Sequence, residues 1–289
     1  MHFVKMHGIG NDYVYVDAFT DDAIEHHPDL AGLSRRISDR HTGVGSDGLI
    51  LICRPRSPQN HARMRMFNAD GSESEMCGNG VRCVAKFAHD RLGLTTRPLH
   101  IETGRGVLTI DYTLNAGRVA TATVDMGEPI LDLPAIPVDA TRLGSSSDGL
   151  TWRMEIGGAA HPVTFVSMGN PHVVFFMPRG TVAGLDLARI GPGIEHHAAF
   201  PRRINAHFVE IVSPREAIMR TWERGAGATL ACGTGACAVL VGAARTSQLQ
   251  REARLRLPGG DLDIRWDTAT NHVFKTGPAT DVFTGEYPE

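Results

Sequence analysis

An internal repeat constrains the fold of this chain more than any other feature of its sequence. The stretch 62–80 aligns with 217–235, and the alignment places Cys77 on Cys232, which lies 155 residues later. Two further pairs of similar segments occur in the same order along the chain: 10–16 with 169–175, and 104–110 with 258–264. The repeat predicts two related halves, each with strands around one helix that begins just after a cysteine.

Short runs that alternate apolar and polar residues dominate the chain and predict strands. The clearest of these runs are 61–67, 106–112, 119–126, 172–177, 205–212 and 217–223. Helical spacing is rarer: it predicts a surface helix over 30–37 and a second helix over 81–92 that ends at Gly93. The apolar run 236–244 predicts a buried helix. Many strands and one buried helix indicate a sheet wrapped around a helix.

The proline-rich stretch 127–137 is the best candidate for a linker between the two halves. The predicted domains are therefore residues 1–126, which carry Cys77, and residues 127–276, which carry Cys232.

Charge and hydropathy exclude several classes of function. The formal net charge is −3, and no run rich in lysine or arginine predicts binding to nucleic acid or to a membrane surface. The longest apolar runs, including 173–177, are far too short to span a bilayer. The first residues lack the apolar stretch of a signal peptide, so we expect a cytoplasmic protein.

The five cysteines do not form a disulfide framework or a zinc ribbon, because their number is odd and no Cys-x-x-Cys occurs. No metal site is expected. Cys53 ends an apolar run, and Cys83 and Cys237 lie inside predicted helices, so these three fit the hydrophobic core. Cys77 and Cys232 differ from them because each occupies a glycine-rich turn before a helix.

This placement predicts acid–base chemistry. The start of a helix has unpaired amide donors and favours anions, so we expect it to lower the thiol pKa. If the halves face each other, Cys77 and Cys232 lie across one cleft, as two bases must to invert a carbon stereocentre. Amides around Gly78-Asn79 and Gly233-Thr234 would stabilise a carboxylate that gains charge as the proton leaves. No pyridoxal-lysine motif or nucleotide loop is recognisable, so no cofactor is expected.

Four segments, 6–17, 67–83, 167–172 and 223–238, closely resemble diaminopimelate epimerase. The resemblance implies cofactor-independent conversion of LL-2,6-diaminopimelate to the meso form, in lysine and peptidoglycan-precursor biosynthesis. It implies an α+β fold of two pseudo-symmetric domains, each a mostly antiparallel β-barrel-like sheet around a central helix. It also implies that the C-terminal segment 277–289 returns to the first domain and that the protein is a homodimer.

The resemblance assigns roles to individual residues. Cys77 and Cys232 match the acid/base cysteines, and His172 and Glu223 match groups that tune them. The positions that match substrate-binding residues are Asn11, Asn68, Gly78, Asn79, Asn170, Asn205, Glu223, Arg224, Gly233 and Thr234. The sequence departs from the family pattern at Gly48, where many members have a glutamine that contacts substrate, and at Ala228, where a glutamate is common.

Other interpretations remain open. A proline or hydroxyproline racemase also uses two cysteines, but there the first turn is expected to read CGHG, whereas this chain has CGNG. A thiol redox protein could cycle Cys77 and Cys232 through a disulfide. A module that binds an amino acid without turnover is a third alternative. Taken alone, Asn11 and Asn68 fit turn residues, and His172 fits a structural hydrogen-bond donor.

Overall fold

The computed structural model describes residues 1–144, 146, 148–156 and 158–288. The chain forms two compact units. The first unit contains residues 1–125 and 276–289, and the second contains residues 126–275. These limits differ by one residue from the predicted ones; Glu289, in the predicted C-terminal segment, is outside the described residues.

The part of the first unit that lies before residue 126 contains eight strands and two α-helices. In chain order they are β1 His2–Gly8, β2 Asn11–Ala18, α1 Leu30–Ser38, β3 Gly48–Cys53, β4 Ala62–Asn68, β5 Glu73–Ser74, α2 Gly80–Asp90, β6 Leu99–Thr103, β7 Gly106–Asn115 and β8 Arg118–Asp125.

The second unit follows. It contains β9 Trp152–Ile156, β10 Ala159–Ser167, β11 Pro171–Phe176, α3 Leu187–Glu195, β12 Asn205–Ser213, β13 Glu216–Glu223, β14 Gly227–Thr229, α4 Gly233–Arg245, β15 Glu252–Leu257 and β16 Gly260–Trp266. The next strand, β17 Val273–Pro278, begins in the second unit and ends in the first.

The last strand, β18 (Thr280–Glu286), pairs antiparallel with β1 and so belongs to the first unit. Short 3-10 helices cover Asp22–His26, Ala140–Arg142 and Val182–Gly184. All six predicted strands are strands in the structure.

The two units have the same strand order. In the first, β2 pairs antiparallel with β1 and parallel with β3, and β4 pairs antiparallel with β3 and β5 but parallel with β6. In the second, β11 pairs antiparallel with β10 and parallel with β12, and β13 pairs antiparallel with β12 and β14 but parallel with β15. The helices also correspond, α1 to α3 and α2 to α4. The two halves that are similar in sequence therefore also have the same topology.

A central helix lies against the strands of each unit. α2 contacts β1, β2, β3, β4, β7 and β8, and α4 contacts β10, β11, β12, β15 and β16. The α4 side chains from Ala236 to Ala243 are buried, as the apolar run predicts. The helix α2 ends at Asp90 rather than at Gly93, because Gly93, with φ of 70°, lies in the turn that lets Leu94 N–H bond to Ala88 O.

The surface helix α1 forms as predicted, with Asp29 accepting from Gly32 N–H at its start. The helix α3 was not predicted from the sequence. Within the part of the chain that the structure describes, none of the helices has the length and apolar character needed to cross a bilayer.

Candidate active site

The first candidate half-site is built around Cys77, which lies between β5 and α2. Cys77 is half-buried. Its Sγ–H donates to Asn11 Oδ1 at 3.2 Å, and Gly80 N–H donates to Cys77 Sγ at 3.3 Å. The sulfur therefore lies at the N-terminus of α2, with a side-chain acceptor on one side and a helix amide on the other.

Asp47 fixes the orientation of the Asn11 amide. Asn11 Nδ2 donates to Asp47 Oδ2 at 2.7 Å, so Oδ1 is the end that faces Cys77. Asp12 N–H donates to the same Oδ2 at 3.0 Å, and Arg40 Nη2 donates to Asp47 Oδ1 at 2.9 Å. A reversed amide would place its oxygen against a carboxylate oxygen, so Asp47 selects the acceptor end for the thiol.

Tyr13 lies beside Asn11 and Cys77 and is buried. Burial raises the pKa of Tyr13 well above its usual value, and charge on Cys77 raises it further, so the phenol stays neutral. A Cβ on Gly48 would lie 2.1 Å from Phe67 O and 2.9 Å from Tyr13 Cε1. The position that departs from the family's glutamine therefore has no space for a side chain on this backbone.

The remaining predicted residues of the first unit stabilise turns. Gly78 and Asn79 precede α2, and Arg82 Nη1 donates to Asn79 Oδ1 at 3.0 Å and to Gly78 O at 3.3 Å. The buried Arg82 thus holds both turn residues. Asn68 ends β4, and its Nδ2 donates to Ser72 Oγ at 2.9 Å in the turn that leads to β5.

The second candidate half-site is built around Cys232, the N-cap residue of α4, which is only 3% exposed. Gly233 and Thr234 form the first turn of this helix. Cys232 Sγ lies 3.8 Å from Thr234 Oγ1, and Asn170 Nδ2 donates to the same hydroxyl at 3.3 Å. The cysteine, the glycine turn and one predicted asparagine are therefore joined within the second unit.

Glu223 lies beside Cys232, and Thr229 Oγ1 donates to Glu223 Oε1 at 2.6 Å. Burial raises the pKa of the Cys232 thiol well above its usual value, and Glu223 raises it further; the Gly235 amide and Thr234 lower it by less. Burial also raises the pKa of Glu223. The prediction that the helix start lowers the thiol pKa is therefore wrong for Cys232, because burial and a carboxyl group outweigh the helix amide.

His172 is fully buried on β11 and bonds on both sides of its ring. Its Nε2 lies 2.9 Å from Asn170 Oδ1, and its Nδ1 lies 2.9 Å from His207 Nε2. Burial lowers the pKa of both imidazoles, that of His207 to about 3, and His207 also lowers the pKa of His172. Both rings are therefore neutral near pH 7, and the hydrogen bonds lead from His172 through Asn170 to Thr234.

Asn205 uses both ends of its amide to hold backbone. Its Nδ2 donates to Pro171 O at 2.8 Å, and its Oδ1 accepts from Arg224 N–H at 3.0 Å. The exposed Arg224 side chain donates through Nη1 to Arg202 O at 3.0 Å. Asn205 thus joins the start of β11 to the turn that carries Arg224.

Three residues that the sequence analysis did not select also order these half-sites. Asp47 directly precedes Gly48, and no motif in the sequence distinguishes it from other loop aspartates. His207 lies two residues after Asn205 on a strand, and the two-residue period of a strand could have indicated a shared face. Glu195, on α3, accepts from Trp222 Nε1 at 2.8 Å and so fixes the start of the turn that carries Arg224.

Among the described residues, no group of three or more His, Cys, Asp or Glu side chains is arranged to hold a metal ion. The family model described as "Diaminopimelate epimerase" matches residues 3–131 and 164–282, which include both candidate half-sites. The chain belongs to the diaminopimelate epimerase family. Membership in this family makes the chain an isomerase of the epimerase type and confirms the resemblance seen in its motifs.

Curated members of the family match nearly the whole chain. The chain is 50% identical to diaminopimelate epimerase of Desulfovibrio desulfuricans, a match that spans 99% of this chain and 98% of that protein. It is 46% identical to the enzyme of Moorella thermoacetica, over 100% of this chain and 99% of that protein. It is also 46% identical to the enzyme of Methanococcus maripaludis strain C6, over 99% of each protein.

Solved structures share the fold at much lower identity. A predicted epimerase from Pseudomonas aeruginosa has a TM-score of 0.66 and 15% identity, over 99% of this chain and 98% of that chain. A hydroxyproline epimerase from Agrobacterium vitis has a TM-score of 0.64 and 13% identity, over 99% of this chain and 90% of that chain. These likenesses extend to the fold alone and confirm the predicted two-domain α+β class.

Proposed function

We propose that this chain converts LL-2,6-diaminopimelate to meso-diaminopimelate without a cofactor, with Cys77 and Cys232 as its two acid/base groups. The reaction would serve lysine and peptidoglycan-precursor biosynthesis. The observation that carries the proposal is the matched pair of half-sites: each unit of this family member places a cysteine between a short strand and the start of its central helix.

In the proposed reaction one cysteine begins as a thiolate and the other as a thiol. The thiolate removes the α-proton, and the C–H electron pair passes into the adjoining carboxylate. The thiol then returns a proton to the other face of the carbon and becomes the thiolate. No atom is gained or lost, and the reverse reaction exchanges the two roles.

The environment of Cys232 supports an acid role for this thiol. Burial and Glu223 hold it protonated, which is the form that a proton donor needs before turnover. Burial also raises the pKa of Glu223, so the protonation of this carboxyl group can change when the charge of Cys232 changes. His172, in the same unit, acts through Asn170.

Binding of the substrate is assigned to two kinds of group. The amides at Gly78-Asn79 and Gly233-Thr234 are donors at helix starts, and each preorganised donor of this kind stabilises a developing oxyanion by about 2.7–4 kcal/mol. The exposed guanidinium of Arg224 is assigned to the distal carboxylate of the substrate. The four asparagines, Asn11, Asn68, Asn170 and Asn205, are assigned to hold or position the substrate.

The test is to incubate reduced protein with LL-diaminopimelate in deuterated water and to follow the α-proton by NMR. Exchange and formation of the meso isomer are expected for the wild type. Cys77→Ala and Cys232→Ala should each lose turnover by at least about 10²-fold. The matched controls, Cys83→Ala and Cys237→Ala, remove buried cysteines one or two turns along the same helices and should retain it.

Each rival predicts a different result in this assay. Exchange with L-proline but not with LL-diaminopimelate would point to a racemase. Binding without exchange would point to an amino-acid-binding module, and loss of free thiols on mild oxidation with no exchange would point to a redox protein. Equal exchange in the wild type, Cys77→Ala and Cys232→Ala would contradict the two-base proposal.

A homodimer, proposed from the resemblance alone, is checked by light scattering of the purified protein.

A further inference from the structure

A series of hydrogen bonds crosses three neighbouring strands of the second unit. It runs from Thr221 on β13 to His207 on β12, then to His172 on β11, and ends at Asn170. The distances are 2.9 Å from Thr221 Oγ1 to His207 Nδ1, 2.9 Å from His207 Nε2 to His172 Nδ1, and 2.9 Å from His172 Nε2 to Asn170 Oδ1. Thr221 and His207 are direct partners in the β12–β13 register, which aligns their side chains.

The series has a direction, because each neutral imidazole has one donor and one acceptor nitrogen. Asn170 Nδ2 donates to Thr234, so Asn170 Oδ1 must accept from His172 Nε2–H. The other nitrogen of His172 is then an acceptor and receives His207 Nε2–H. The last acceptor, His207 Nδ1, receives the hydroxyl proton of Thr221. A reversal at either end would reverse every bond and would turn the Asn170 amide around.

Both rings are held tightly in place. His172 and His207 are fully buried, and Thr221 is nearly so. The His207 ring also packs against the first turn of α4: a Cβ on Gly235 would lie 2.2 Å from His207 Cε1. His207 therefore contacts the helix that begins at Cys232 as well as the residue that orients Asn170.

We propose that His207 and Thr221 are positioning residues for Asn170. The Thr221 hydroxyl sets the tautomer of His207, His207 sets the tautomer of His172, and His172 holds Asn170 with its Nδ2 toward the helix start at Cys232. This inference deepens the proposed function and rests on it, because Asn170 is taken there as a substrate-binding residue.

The test uses Thr221→Val, which keeps the side-chain shape and removes the hydroxyl donor. Two measurements are made: kcat/KM with LL-diaminopimelate, and the tautomers of His172 and His207 from long-range ¹H–¹⁵N NMR of histidine-labelled protein. The wild type should show the Nε2–H tautomer at both rings. Thr221→Val should lose this uniform pattern and about tenfold in kcat/KM, the effect expected for one buried hydrogen bond.

Two further variants separate positioning from packing. Thr221→Ser keeps the hydroxyl and should keep both the tautomers and kcat/KM. Thr164→Val is the matched control, because Thr164 is a buried threonine of the same unit whose Oγ1 has no hydrogen-bond partner among the described residues. It should match the wild type in both measurements. Tryptophan fluorescence checks folding of each variant.

An Nδ1–H tautomer at either ring of the wild type would overturn the proposal, and so would wild-type kcat/KM in folded Thr221→Val. Failure of the proposed function looks different. If the wild type exchanges no α-proton, the tautomers still test the hydrogen-bond series: a change in Thr221→Val but not in Thr164→Val supports positioning of Asn170, and no change rejects it.

Discussion

Asn11 and Asn170 occupy matched positions in the two halves, yet they present opposite ends of their amides. Asp47, which can only accept, holds the Nδ2 of Asn11 and leaves its oxygen toward Cys77. In the second half His172 is a donor, so it holds the oxygen of Asn170 and leaves Nδ2 toward the start of α4. The residue behind each asparagine thus decides which group the amide offers to its half-site.

A second matched pair differs in the same way. In the aligned repeat Glu223 corresponds to Asn68. Glu223 faces a buried thiol and raises its pKa, whereas Asn68 stabilises a turn through Ser72. The repeat places the two cysteines at helix starts, and the aligned positions at which its two copies differ make the environments of the cysteines different. In the proposed two-base reaction, this difference favours Cys232 as the thiol that starts in the protonated form.

The largest effect is expected from Glu223→Gln, which removes the charge beside Cys232. The pKa of Cys232 should fall, because Glu223 is one of the causes that raise it. We expect a loss of about 10²-fold in kcat, the lower range for a group that assists proton transfer. The measurement is the pH dependence of iodoacetamide alkylation at each cysteine: the profile of Cys232 should move to lower pH, and that of Cys77 should not. Equal shifts at both cysteines would contradict the asymmetry.

Low pH should decrease the unfolding free energy of the second unit, because this unit contains two buried histidines. His172 and His207 have lowered pKa values, so they stay neutral while unfolded histidines gain protons below about pH 6.5. Their stabilising effect is complete above that pH and is lost as the pH falls, by about 1.4 kcal/mol per pH unit for each histidine. For His207 the loss continues to a pKa of about 3.

Urea unfolding followed by tryptophan fluorescence measures this loss, because all three tryptophans lie in the second unit. Between about pH 6.5 and 4.5, His207→Gln should show a shallower decrease in unfolding free energy than the wild type. Carboxylates titrate in both proteins and cancel in the comparison. Identical slopes would mean that His207 is not held neutral by the fold.

The third prediction compares Gly80 and Gly235, which are aligned in the repeat. A Cβ on Gly235 would lie 2.2 Å from the His207 ring, whereas a Cβ on Gly80 would lie 2.9 Å from the terminal methyl group of Ile50. Gly235→Ala should lower stability by about 1–3 kcal/mol through overpacking. Gly80→Ala should change it little, since alanine favours the helix by up to about 1 kcal/mol. Tryptophan signals report the stability of Gly235→Ala, because the tryptophans lie in the second unit. Tyrosine signals report the stability of Gly80→Ala, because the tyrosines all lie in the first unit.

Much of the fold could be predicted from local pattern, because strand alternation and the apolar run of α4 are local. The helix α3 could not be: Gly191, Pro192 and Gly193 disfavour a helix, and it forms because Asp186 caps it and its apolar side chains pack in the core.

The cysteines could be located from their matched turns, but the state of Cys232 could not. Its pKa depends on burial and on a carboxyl group nine residues away in the sequence, and the spacing alone does not show that Glu223 folds back onto the thiol. The pairing of His207 with His172 likewise depends on the parallel register of β11 and β12, which no local pattern encodes.

The smallest effect is expected from Asp47→Ser, which shortens the acceptor behind Asn11. Without the carboxylate the Asn11 amide can rotate, so its oxygen is no longer held toward Cys77. One oriented hydrogen bond corresponds to about tenfold in kcat/KM. Asp111→Ser is the control, because Asp111 is an exposed aspartate of the same unit that pairs with Arg97, and it should leave kcat/KM unchanged. If folded Asp47→Ser kept wild-type kcat/KM, the orientation of Asn11 would not matter to turnover, and the contrast between the two asparagines would be structural only.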